Sequence, residues 1–213
     1  MASWNDMTPQ EKLQYFRDYY LLKVVIALCV LAGVIILIRD ITAPEPVYAL
    51  QTGIYDTSLD DTEKHRLERE MQDVLNTTED ILIDDTYTSL NNDDLMRIVS
   101  LSEAGKLDVI IAPRKVLEFL AGYGYFKDLS AECSAEFLAE NRDRLLMCRG
   151  LAVSEDGILA ENAEGSGEPY AAGIDISGTL FEPYLHGMEN PAAGVIYESE
   201  KLPLFEALSA RAE

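Results

Sequence analysis

The stretch GKLDVIIAP, residues 105–113, decides how the chain folds. Gly105 follows an amphipathic segment, where a helix-ending glycine belongs, and Pro113 precedes another such segment, where a proline suits the turn or the first helical position. Between them Val109, Ile110 and Ile111 run without polar alternation. An apolar run of that length between two helices reads as a strand covered on both faces, which is how a parallel strand behaves.

Upstream the same rhythm repeats. VYALQTGIY (47–55) is a first strand ending at Asp56. SLDDTEKHRLEREMQDVLN (58–76) is a helix that Ser58 or Asp60 can cap, with Leu67, Met71, Val74 and Leu75 on one face. Ile81 to Ile83 form a short second strand with acids on both sides. NNDDLMRIVSLSEAG (91–105) is a second helix, capped by Asn92, with Leu95, Ile98, Val99 and Leu101 as its apolar surface. The order is strand, helix, strand, helix, strand, helix. It implies an α/β fold with an open, doubly wound, mainly parallel sheet and right-handed crossovers. The 107–112 strand is expected at its centre.

Downstream the pattern is weaker. SAEFLAENRDRLLMC (134–148) reads as one helix with Phe137, Leu138, Leu145 and Leu146 inside. Residues 154–170 are rich in glycine and read as loop or hairpin. AAGIDIS (171–177) and AAGVIYES (192–199) read as two more strands, and LPLFEALSARAE (202–213) as a closing helix.

The N-terminal part is of another kind. In YYLLKVVIALCVLAGVIILIRD (19–40), residues 24–38 are unbroken apolar and Lys23 is the one charge before Arg39. About 20 such residues rise about 30 Å as a helix, the thickness of the hydrocarbon core. Lys23 can snorkel to the headgroups, and Tyr15, Phe16, Tyr19 and Tyr20 make an aromatic belt on its side. A buried core helix of this length would carry a polar stripe. A cleaved signal peptide would begin with a short basic segment, whereas the leading residues here are long and mixed in charge. An uncleaved single-pass anchor is therefore expected. The division is a cytoplasmic tail at 1–18 that includes Trp4, a transmembrane helix at 19–39, a proline-bearing linker at 40–46, and an extracytoplasmic domain at 47–213. Lys12, Arg17 and Lys23 against Arg39 place the N-terminus in the cytoplasm.

Charge excludes one class of function. The chain carries 38 acidic and 17 basic residues. Residues 1–39 hold 4 basic and 3 acidic side chains, so 40–213 hold 13 and 35, a net −22. Such a surface repels nucleic acid and anionic lipid. Diffuse acidity of this kind is read as a solvated face and not as a calcium site. With three cysteines, no CxxC pair and two separated histidines, His65 and His186, no metal site or cofactor is expected. A disulfide between Cys133 and Cys148 would contribute about 3 kcal/mol in the chain-entropy model. The other reading, two separate small hydrophobes, is preferred, and both stand at this stage.

Catalytic signatures are missing: no GxSxG elbow, no phosphate-binding loop and no HExxH. The acid pairs Asp60-Asp61 and Asp93-Asp94 fall where helix N-termini attract acids. Asp84-Asp85 follows the second strand, at the carboxyl edge where open sheets bind ligands. Asp56, Asp84 and Arg114 are thus the candidate ligand-binding residues, against the plainer reading of polar strand ends meeting water.

Ala104-Gly105, Asp108-Val109-Ile110, Gly124-Tyr125-Phe126 and Asp128-Leu129-Ser130 follow one another in an order that resembles the extracellular solute-binding proteins of ABC importers, the type 2 periplasmic-binding fold. YAAGIDIS (170–177) and GVIYESEKLPLFEAL (194–208) resemble later segments of that family, and KLQYFRDYYLLKVVI (12–26) resembles anchors of small membrane proteins from Gram-positive anaerobes. The resemblance implies one lobe of that fold. Family members carry two lobes and typically well over 250 residues, because the ligand sits between them. The roughly 170 residues here match one lobe, with the second shrunk to the region of 131–168. One wall cannot enclose a solute, so transport is not carried over with the fold. The expected function is a non-catalytic, membrane-anchored extracytoplasmic protein acting through a membrane or envelope protein partner. The alternative is a solute receptor of an ABC importer that completes its cleft with a partner or by dimerising.

Overall fold

A computed structural model of the chain describes residues 8–42, 46–88, 92–152 and 163–210. Trp4, Pro44, the side chains of Asn92 and Leu95, and most of the expected loop at 154–162 lie outside the described residues. The chain divides into two compact units, Met1–Pro46 and Val47–Glu213.

The first unit holds helices α1 (Pro9–Tyr19) and α2 (Leu21–Thr42). The expected tail is thus partly helical, and α2 runs three residues into the expected linker. The stretch Leu21–Arg39 has a mean hydropathy of 3.1 and is exposed throughout. That exposure rules out a buried core helix. A membrane span or a signal sequence has this make-up. Tyr15 and Tyr20 lie 5.9 Å apart by ring centres, and the Lys23 ammonium sits 5.6 Å over the Tyr20 ring, an amphipathic cluster at one end of the apolar run.

The second unit is a mixed α/β domain. Its strands are β1 (Tyr48–Tyr55), β2 (Asp80–Tyr87), β3 (Val109–Pro113), β4 (Leu145–Arg149), β5 (Pro169–Asp175) and β6 (Pro191–Val195). They form one six-stranded sheet in the order β2-β1-β3-β6-β5-β4. β1 pairs parallel with β2 and with β3, whereas the β3–β6, β6–β5 and β5–β4 pairings are antiparallel. Four of the six strands therefore run one way, and the sheet is mostly parallel by direction. The strand expected at 107–112 is β3, Val109–Pro113, and it is central as expected, flanked by β1 (Ile54 opposite Ile111) and β6 (Ile110 opposite Gly194).

Helices cover both faces. On one lie α3 (Asp61–Leu75), α6 (Leu129–Glu132), α7 (Ala135–Asn141) and α8 (Leu202–Leu208), through Leu67, Met71, Leu129, Phe137 and Phe205. On the other lie α4 (Asn92–Glu103) and α5 (Arg114–Gly122), through Ile98, Leu117 and Leu120. Val109 and Ile111 face the first layer, and Ile110 and Ala112 the second. Burial on both sides is why the opening stretch lacks alternation.

Local chemistry explains the helix ends. Asp60 caps α3: its carboxylate accepts the Glu63 amide at 2.8 Å, and the Glu63 carboxylate accepts the Asp60 amide at 3.0 Å. Gly105 has φ +64, and the Lys106 amide returns to the Leu101 carbonyl at 2.7 Å, the left-handed closure expected there.

One expectation needs correction. Residues 134–148 are not one helix: α7 stops at Asn141, and Leu145–Arg149 is the edge strand β4. The cause is tertiary. The Arg144 side chain bonds the Asn141 side chain at 2.6 Å, the Asp175 carbonyl and the Ser209 carbonyl, turning the chain so that β4 pairs with β5. Of the two readings of Cys133 and Cys148, the structure agrees with the preferred one, two separate small hydrophobes. Both thiols are free, Cys133 against the first layer and Cys148 in the second, with the sheet between them.

Candidate functional site

The parallel half of the sheet reverses its winding at β1: the chain goes out to β2 on one side and returns to β3 on the other. Open α/β sheets bind ligands outside the carboxyl ends at such a switch. Asp56 follows β1 and Arg114 follows β3, so these two candidates end neighbouring strands on either side of it.

Asp56 is exposed with φ +51, and its amide donates to the Tyr87 carbonyl at 3.0 Å, fixing the β1 end against β2. Beneath it the buried rings of Tyr55 and Tyr87 stack at 5.3 Å. Arg97 of α4 covers Tyr87, its guanidinium 4.6 Å from the ring centre.

The sequence pair Asp84-Asp85 does not act as a pair, because consecutive strand residues point to opposite faces. Asp84 turns towards α4, where it takes an ion pair from Arg97 and the Thr86 hydroxyl at 2.6 Å. Asp85 turns towards α3, where it meets Lys64 at 2.6 Å and the Leu59 amide at 2.7 Å, with 6% of its side chain exposed. Burial alone would raise the Asp85 carboxyl; Lys64 and the Leu59 amide outweigh it and hold it below the usual carboxylate range. Both acids are engaged inside the domain.

Arg114 opens α5, pairs with Glu118 at 2.8 Å, and takes part in a shallow cleft of about 90 Å³. The cleft draws Arg114 together with Asp143, Leu145, Asp175, Asn190 and Pro191, the residues that start β4 and β6 and end β5. Asp56 and Asp84 do not line it. The structure thus places Arg114 with a set that sequence reasoning missed. Asn190, with φ +47 before Pro191, was legible as a turn, but its neighbours there were hidden because β4 was read as helix.

The remaining chemistry is sparse. His65 meets Glu68 at 3.4 Å and His186 meets Glu63 at 3.3 Å. Burial, with Glu206 adding to it, pushes the Cys133 thiol up to about 12; burial pushes Cys148 up to about 11. Both are poor nucleophiles near neutral pH. Among the described residues no group of three His, Cys, Asp or Glu side chains is placed to hold a metal ion.

The motif residues that carried the resemblance are structural in their contacts. Asp128 caps α6 through the Ser130 amide at 3.0 Å and accepts the Ala171 amide of β5 at 3.1 Å. Phe126 bridges to Ile196 beside β6. Compared with known family models, characterised proteins and solved structures, the chain matches none.

Proposed function

We propose that the protein is a non-catalytic, single-pass membrane protein whose extracytoplasmic domain, 47–213, is one solute-binding-like lobe that works by docking a membrane or envelope protein. The exposed apolar helix α2 supports the anchor. The observation that carries the rest is the state of the carboxyl edge. Its cleft of about 90 Å³ is small beside the roughly 300–1,000 Å³ of ligand pockets, and Arg114, Asp84 and Asp85 already hold partners within the domain. A solute there keeps much of its surface in water and cannot offset its lost freedom. A protein partner brings a second wall of its own.

Calorimetry on the full-length chain in detergent, held monomeric, tests this against a panel of sugars, amino acids and short peptides. The expected result is no binding tighter than about 10 µM, a threshold of ~7 kcal/mol. A single solute bound at micromolar affinity or better would overturn the docking reading in favour of a solute receptor.

A further inference from the structure

The sheet has two edge strands, and they are finished differently. β4 is five residues long, its ladder shifts between Leu146 and Met147, and the exposed Arg142 and Arg149 stand near its ends. A short, bulged, charged strand is how proteins keep an edge from pairing. β2 has eight residues and an apolar middle, Ile81-Leu82-Ile83, and its register with β1 is regular from Ile81 to Asp84. The direction of its free backbone groups follows from β1. Gln51 turns both of its backbone groups to β3: its carbonyl accepts the Asp108 amide and its amide donates to the Asp108 carboxylate, each at 2.9 Å. Alternation then turns those of Leu50 and Thr52 to β2. Leu50 stands opposite Ile81 and Thr52 opposite Ile83, and in a parallel ladder each bonds the residues on either side of its opposite number. Ile81 and Ile83 therefore point their own N–H and C=O away from the sheet. Among the described residues no hydrogen bond meets those groups.

We propose that the outer side of β2 is the docking edge of the domain, and that it takes an extended basic segment of the protein partner as a further strand of the six-stranded sheet. The proposal rests on the docking reading above and names the chemistry of the partner. Main-chain bonds to Ile81 and Ile83 supply the binding, as in other strand additions. Charge selects the occupant. Glu79 and Asp80 are exposed at the amino end of β2, whereas Asp84 and Asp85 are matched by Arg97 and Lys64. Among the described residues no ion pair includes Glu79 or Asp80. A second copy of the chain fits badly. Paired antiparallel about Leu82, two β2 strands set Asp80 opposite Asp84 and Glu79 opposite Asp85, and each chain beyond residue 39 brings a net −22. A segment with β-branched residues, and with lysine or arginine at the end that meets Glu79 and Asp80, fits both the ladder and the charge.

The test uses the full chain in detergent at low salt, with fluorescein-labelled probe peptides KKVTVTVKK and EEVTVTVEE, and a third, KKVTVTVKK with its VTVTV amides N-methylated. Anisotropy should show saturable binding of the first, binding about tenfold weaker for the second, and none for the third, which has lost its main-chain donors. In the double variant Glu79→Lys with Asp80→Lys the preference between the two charged probes should reverse. Ile83→Pro removes one outward N–H at an edge position, where proline is tolerated, and should weaken every probe. Circular dichroism checks its fold, and the exposed double variant stands independently of it. No saturable binding of KKVTVTVKK, or equal binding of its N-methylated form, overturns the edge. Equal binding of the two charged probes overturns the basic partner. A dimer of the chain alone that is lost in Ile83→Pro gives the edge to a second copy instead. Failure of every probe while the solute panel also stays blank overturns this edge and leaves docking to another surface. A solute bound at micromolar affinity overturns the docking reading itself, whatever the probes show.

Discussion

The carboxylate of Asp108 accepts the hydroxyl of Ser199 at 2.7 Å, across 91 residues of sequence and inside the domain, where Asp108 is 6% exposed. Its other oxygen accepts the Gln51 amide at 2.9 Å, and its backbone bonds both the Gln51 carbonyl and the Ile196 amide. One side chain therefore ties β1, β3 and the turn after β6. Asp108→Ala takes the acceptor from the part-buried Gln51 amide and from the buried Ser199 hydroxyl and is expected to cost about 2–3 kcal/mol, whereas Ser199→Ala, which removes the bond to Asp108 and the one accepted from the Lys201 amide at 3.1 Å, costs about 1–2 kcal/mol. Urea midpoints measure both. Equal midpoints for the parent and Asp108→Ala would show the tie to be unimportant.

Ile110 is 1% exposed at the middle of β3. Ile110→Asp buries a charge with no partner and is expected to cost several kcal/mol, on the order of the domain's whole stability. Circular dichroism should show an unfolded or early-melting domain. Melting within a few degrees of the parent contradicts the central placement of the strand.

Asp85 makes stability depend on acid. Its folded-state carboxyl lies below the usual range, so its contribution is present above the unfolded value of about 3.9 and is lost as pH falls through the lowered folded value. Asp85→Asn should melt below the parent at neutral pH, and the gap should close as the medium is taken well below pH 4. A gap that stays constant down to strong acid would mean that Lys64 and Leu59 do not stabilise the charged form.

The thiols of Cys133 and Cys148, raised to about 12 and 11, should alkylate slowly at neutral pH in the folded domain and quickly in urea, where they revert to ordinary values. With the sheet between them, mild oxidation should give no peptide linking 133 to 148. Recovery of that linked peptide from folded protein contradicts the placement of β4.

Much of the fold was legible where burial and local chemistry agree. The Gly105 closure and the unalternating Val109–Ile111 run each name their own structure, because the signal lies within a few residues, and the cap of α3 was narrowed to Ser58 or Asp60, of which the structure uses Asp60. The second half was less so. Leu145 to Cys148 is apolar enough for helix or strand, and what settles it is the Arg144 contact to Ser209, 65 residues away. The site suffered the same limit. Asp84 and Asp85 look like a paired rim until the pleat sends one to Arg97 and the other to Lys64. Arg114 joins Asp143, Asp175 and Asn190 only through pairings of β4, β5 and β6 that no local pattern announces.

The central claim is that a single span holds the 47–213 domain outside the cell. Protease added to intact cells that express the chain with an N-terminal and a C-terminal epitope tests it most directly. The account predicts loss of the C-terminal epitope while the N-terminal epitope survives on a membrane-bound fragment that detergent releases. A C-terminal epitope that is protected in intact cells and cut only after permeabilisation would contradict it.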